Sequence, residues 1–150
     1  MRGPRGTKLG VQASSDHIST HISYACVLAR DLSRQELIDA MRRCHTYGAT
    51  ANMIMDFRAG KTHVQGDIFE SSDAPEVTAT ITGSAALCRV VLIRDNQYIY
   101  TQQPQSESFN LRYRDSSLSA GEHYYYVRAE QSDGNVVWSS PIWVKFTGAK

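Results

Sequence analysis

The chain has only three cysteines and four prolines among its 150 residues, and no apolar run near the ~20 residues that a membrane-spanning helix requires. Cys26, Cys44 and Cys88 form no C-x-x-C pair, which excludes a zinc ribbon and a dithiol redox motif. They read as reduced packing thiols, which fits a cytoplasmic setting. Charge of one sign is also missing. Sixteen basic residues against fifteen acidic ones give a net charge of +1, so there is no electrostatic reason to expect a nucleic-acid or anionic-membrane partner. Arg2, Arg5 and Lys8 lie near the start without an apolar stretch after them, so no secretory signal is expected. Equally missing are a phosphate-binding glycine loop, a calcium loop, a Ser–His–Asp arrangement and an H-x-H pair.

The rest has the composition of an ordinary globular protein, with 41% hydrophobic and 21% charged residues, and is long enough for one well-buried core. Lys8 to Ser14 reads as a short strand, and Ile22 to Ala29 as an apolar strand or helix. Ser33 and Glu36 have the spacing of a capping box. Leu37, Ala40, Met41 and Cys44 then recur at helical spacing, so a helix is expected over residues 33–45, closed by Gly48. From Asn52 the period becomes that of strands. Met53, Met55 and Phe57 alternate with polar neighbours, as do Val77, Ala79 and Ile81, while Cys88 to Arg94 is apolar on both faces. Turns are expected at Gly60, Ser71 to Pro75, Gly83, Asp95-Asn96, Pro104 and Gly121, a hairpin at Asp133-Gly134, and a bulge or edge at Pro141. The expected fold is mainly β: an antiparallel β-sandwich, immunoglobulin- or fibronectin-like, over residues 51–150.

Three residues can carry chemistry. Asp16, His17 and His21 follow the first strand in a polar turn, and carboxylate with imidazole suits zinc, manganese or iron. The alternative is that Asp16 caps a turn and both histidines are ordinary polar loop residues. His45 and Tyr47, between the helix and the first sandwich strand, can line a nearby site, or serve as a helix-terminal cation and a packing residue. Tyr124, Tyr125, Tyr126, Trp138 and Trp143 can form an aromatic ligand surface, or divide between core and sheet face.

The run Leu9 to His17 (LGVQASSDH), with Ser19 to Ala25, resembles the end of the catalytic domain of the DUF3604 family, relatives of the PHP (polymerase and histidinol phosphatase) metallohydrolases. Ser33 to Met41, Arg43 to Thr50, Arg89 to Arg94 and Tyr125 to Val144 extend the resemblance over nearly the whole chain. It implies a C-terminal fragment of a phosphoesterase-like, metal-dependent hydrolase. Residues 1–50 would then be the last β/α segment of a truncated barrel, and residues 51–150 an accessory sandwich. Asp16 matches the aspartate of the family's Asp-x-His element, but residue 18 is isoleucine, so His17 or His21 would be its partner. With the upstream H-x-H missing, the resemblance implies a divalent metal (zinc, manganese or iron) and a phosphoester substrate for an intact parent, and an inactive chain in isolation. The rival expectation is a non-catalytic binding or structural module. An apolar Leu37/Met41 stripe left without barrel neighbours would offer a homodimer contact.

Overall fold

The computed structural model describes residues 7–17 and 22–148. It contains one short helix and eleven strands: β1 (Tyr24–Val27), α1 (Arg34–Arg42), β2 (Thr46–Ala49), β3 (Ile54–Ala59), β4 (His63–Val64), β5 (Ile68–Ser71), β6 (Glu76–Arg94), β7 (Gln97–Gln102), β8 (Ser106–Arg114), β9 (Gly121–Gln131), β10 (Val136–Ser139) and β11 (Ile142–Phe146). The expectation of a mainly β, antiparallel protein holds, and the one parallel pairing is β5 with β11.

The 19-residue β6 organises the sheets. Its first half pairs with β3 and β8, and its second half with β7 and β9. The inward side chains of the two halves meet in one core: Met55, Phe57, Val77, Ile81 and Leu111 from the first sheet, Val90, Leu92, Tyr125, Val127 and Val137 from the second. The turn expected at Gly83 does not form. The strand continues with shifted register between Thr82 and Leu87 and again between Leu87 and Arg89, so it bends from one sheet into the other. The side chain of Gln131 fills this bend and accepts the Ala85 N–H at 2.6 Å. A Cβ on Gly83 would come within about 3 Å of the Ala85 carbonyl and of Gln131 Oε1, so a side chain there would crowd the bend. Asp133-Gly134 makes the expected hairpin between β9 and β10, with Gly134 at φ 85°. Pro141 lies at the break between β10 and β11.

The described residues before position 50 depart from the barrel unit that the resemblance implies. A β/α unit needs parallel strands around its helix, but β1 and β2 flank α1 and run antiparallel. β2 pairs on its other edge with β10, so the sheet continues past residue 50 into the sandwich. All four residues of β2 are buried. Lys8 to Ser14 is not a strand beyond a single bridge at Lys8. Hydroxyls hold it instead: Val11 donates its N–H to Ser140 Oγ at 2.8 Å, and its carbonyl accepts from Thr46 Oγ1 at 2.7 Å.

Helix α1 starts as expected, with the Ser33 hydroxyl accepting the Glu36 N–H at 3.3 Å. The reciprocal half of the capping box is absent, because the Glu36 carboxylate turns to Arg30 at 2.8 Å and Arg43 at 3.4 Å. Gly48 plays no part in ending the helix. Cys44 takes the left-handed position at φ 58°, and the N–H groups of Cys44 and His45 close on the carbonyls of Met41 and Ala40, the two bonds of a Schellman motif. Cys44 therefore lies beyond the apolar stripe. Within the stripe Ala40 is buried, Leu37 half-buried and Met41 56% exposed.

Candidate functional site

Two of the predicted metal ligands, Asp16 and His17, lie at the surface. Asp16 (φ 57°) and His17 form an exposed turn in which Asp16 Oδ2 stands 3.2 Å from His17 Nδ1. Side-chain exposures of 79% and 88% leave the pair accessible to water and not enclosed. His21 lies outside the described residues. Among the described residues no group of three His, Cys, Asp or Glu side chains is placed to hold a metal ion.

His45 and Tyr47, predicted as site-lining, are brought into the structure for other purposes. His45 Nε2 meets Asp67 Oδ1 at 2.8 Å, and the other oxygen of Asp67 accepts the Val64 N–H at 2.8 Å. This clamp ties the start of β2 to the β4–β5 turn. There Gly66 (φ 99°) presses so closely on the carbonyls of Arg43 and Cys44 that no side chain fits. Tyr47 is a core residue whose hydroxyl donates to the Met53 carbonyl at 3.2 Å. Burial, and then the neighbouring Cys26, push its phenol well above the usual range.

The aromatic set divides as a strand dictates. Tyr125 points into the core, where its hydroxyl donates to Asp115 Oδ2 at 2.7 Å, and Arg94 Nη1 reaches the same oxygen at 2.6 Å. Burial alone would raise the Asp115 carboxyl, but the bonds from Tyr125, Arg94 and Ser117 outweigh it and hold it below the usual carboxylate range. Its neighbours in sequence, Tyr124 and Tyr126, alternate to the outward face with Arg128 and Glu130. The Arg128 guanidinium lies 5.8 Å from the Trp138 ring centre, and that of Arg89 5.4 Å from Tyr98. Glu130 stands between the two arginines, 2.9 Å from Arg128 and 3.8 Å from Arg89.

The result is an ordered surface of alternating cations and rings on the outward side of β7, β6, β9 and β10, with Tyr98 55% exposed. Beneath it, Val91 and Ile93 also face outward but are only 1% exposed. Their cross-strand partners include Tyr98, Tyr126 and Arg128. The face continues across β9 to Trp143, the cross-strand partner of Tyr124. Trp143 lines a cleft of about 280 Å³ with Phe69, His123 and Lys8. Its indole N–H is buried without a hydrogen-bond acceptor. The two arginines were not among the residues the sequence reading singled out, because each pairs with a ring about ten residues away along the chain on a neighbouring strand.

A sandwich-like, mainly antiparallel β protein with this outward face is the class that fold and surface define. No family model matches the chain. It is similar to an uncharacterised protein of Chlamydia pneumoniae, 24% identical over 135 residues, covering 79% of this chain. An uncharacterised protein of Chlamydia trachomatis is likewise 24% identical, over 136 residues. The chain spans 22% of the length of these relatives. Among solved structures it is similar to the fibronectin(III)-like modules of Clostridium thermocellum CbhA. That match has 18% identity and a TM-score of 0.42, and it covers 62% of this chain and 99% of the other. No helix among the described residues is long and apolar enough to cross a membrane.

Proposed function

We propose that the chain is a non-catalytic β-sandwich module whose outward face, from Tyr98 across Arg89 and Arg128 to Trp138, recognises a protein surface. The ordered ladder of arginine, aromatic ring and Glu130 carries the reading. Arginine, tyrosine and tryptophan are the residues that dominate protein interfaces, and here they are held in place before any partner arrives. With guanidinium groups stacked on two of the rings, this face suits a protein surface better than a sugar ring. The longer relatives, of which the chain spans 22%, leave room for such a partner within the same polypeptide.

A second reading is favoured by one contact, the 3.2 Å approach of Asp16 to His17. In it the module belongs to a PHP-type hydrolase of phosphoesters, and this pair, with His21, supplies part of a zinc, manganese or iron site that other segments complete. A metal there would activate a water molecule.

One experiment separates the two. The chain is titrated with zinc or manganese beside the Asp16→Ala/His17→Ala variant, because an incomplete site binds a metal weakly and turns nothing over. The module reading expects the same background binding from both. Binding that disappears in the variant would replace it with the hydrolase reading.

A further inference from the structure

Among the described residues strand β1 ends its sheet, and its outer edge carries open backbone groups. The Leu28 N–H donates to the His45 carbonyl at 2.8 Å, which sets the phase of the β1–β2 ladder. With Cys26 opposite Tyr47 and Tyr24 opposite Ala49, the hydrogen-bonded pairs are those of Leu28, Cys26 and Tyr24. The other edge of β2 agrees, since Thr46 and Thr50 bond to the β10 side through Ser140 and Val136. The N–H and C=O groups of Ala25 and Val27 therefore point away from β2, where the sheet has no further strand among the described residues. Ser23 points the same way, but the Ser15 hydroxyl meets both its N–H at 2.9 Å and its carbonyl at 3.3 Å.

Natural edge strands are blunted by shortness, charge, proline or a covering element, and β1, with four residues, has the first of these. The run Ile22 to Ala29 (ISYACVLA) contains no charge and no proline, and Ile22 at its start is 49% exposed.

We propose that this edge pairs with the same edge of a second copy, forming an antiparallel dimer centred on Cys26. Open backbone groups select the register. Placing Cys26 opposite its twin brings Ala25 opposite Val27 of the second copy on both sides, so all the open donors and acceptors are used. A register centred on Ala25 would set Val27 against Ser23, whose groups Ser15 already occupies. Every pair from Ser23 opposite Ala29 inward to Cys26 is uncharged, and a net charge of +1 offers little long-range repulsion between copies. One short strand pair buries less than the ~800 Å² per partner of a stable interface, so the dimer is weak and concentration-dependent.

The register makes Cys26 a reporter. Directly opposed residues in a non-hydrogen-bonded antiparallel pair have Cα atoms about 4.5 Å apart, within the range a disulfide spans. The test uses the full chain with Cys44→Ser and Cys88→Ser, treated with diamide from micromolar to millimolar protein and followed by sedimentation and non-reducing electrophoresis. A covalent dimer that increases with concentration and disappears with Cys26→Ser is expected. Ala25→Pro removes an outward donor without touching the β1–β2 ladder. It should weaken association by about tenfold or more while leaving the near-ultraviolet circular dichroism unchanged. If Ala25→Pro disturbs that spectrum, Ala25→Lys, which puts charge on the edge, takes its place with the same expected loss. A chain that stays monomeric throughout, or a dimer indifferent to both edge variants, overturns the proposal.

Discussion

Between β3 and β11 the side chains of Met55, Phe57, Val77, Ile81, Leu92 and Val127 are completely buried. From Thr7 to Arg42, by contrast, only Glu36 and Ala40 are buried among the described residues. The sandwich rests on apolar burial around the ion pair Arg94–Asp115, in which Asp115 is 1% exposed and Arg94 half-buried. The strand–helix segment rests on polar stitching: Ser15 to Ser23, Thr46 to Val11 and Ser140, and Arg30 and Arg43 to Glu36. β2 belongs to the N-terminal segment in sequence and to the sandwich in burial. A segment that looks like an appendage can therefore supply a buried, interior strand of the sheet it joins.

The contrast is sharpest in the ion pairs. Removing one partner of a buried pair leaves an uncompensated charge, so Arg94→Met should cost about 3–5 kcal/mol in urea unfolding. The corresponding Arg30→Met, whose side chain is 82% exposed, should change the unfolding midpoint little, and less still in high salt. Tyr125→Phe takes one donor from the charged Asp115 and should cost about 1.5–3 kcal/mol.

The same network gives an acid dependence. The Asp115 carboxyl is lowered in the folded state, so its contribution is present above the ordinary carboxylate pKa of ~3.9 and is lost as pH falls toward the lowered folded value. An acid titration of stability should flatten in Asp115→Asn over that window.

Smaller effects belong to the stitching. Thr46→Val removes the hydroxyl that bonds Val11 and Ser140, and should cost about 0.5–1.5 kcal/mol while loosening residues 7–15 in hydrogen exchange. Asp16→Ala should leave the melting temperature unchanged, since its side chain is 79% exposed. A clear loss of stability there would mean that the turn does structural work.

Local patterns made much of the fold legible. The alternation at Met53, Met55 and Phe57, and at Val77, Ala79 and Ile81, marks the inward faces, and Ser33 marks the helix start. What stayed hidden depends on partners distant in sequence, or on conformations a residue type does not announce. Gly83 reads as a turn but lies inside β6, because the bend is supported by Gln131, 48 positions on. The helix ends on a left-handed cysteine where a glycine would be expected. β4, β5 and β7 are short or polar edge strands with little apolar alternation. Of the candidate site, Asp16 and His17 are adjacent as their sequence positions require, while His45 and Tyr47 had meanings that only Asp67 and the core could reveal.

The central claim is that β2 joins β1 and the sandwich in one cooperative sheet. Native-state hydrogen exchange of the Tyr47 and Gly48 amides against those of Val90 and Leu92 tests it directly. Exchange of both sets through the same global unfolding, with equal free energies and equal denaturant dependence, is the result the account predicts. Exchange of Tyr47 and Gly48 through a separate opening of lower free energy, with Val90 and Leu92 still protected, would contradict it.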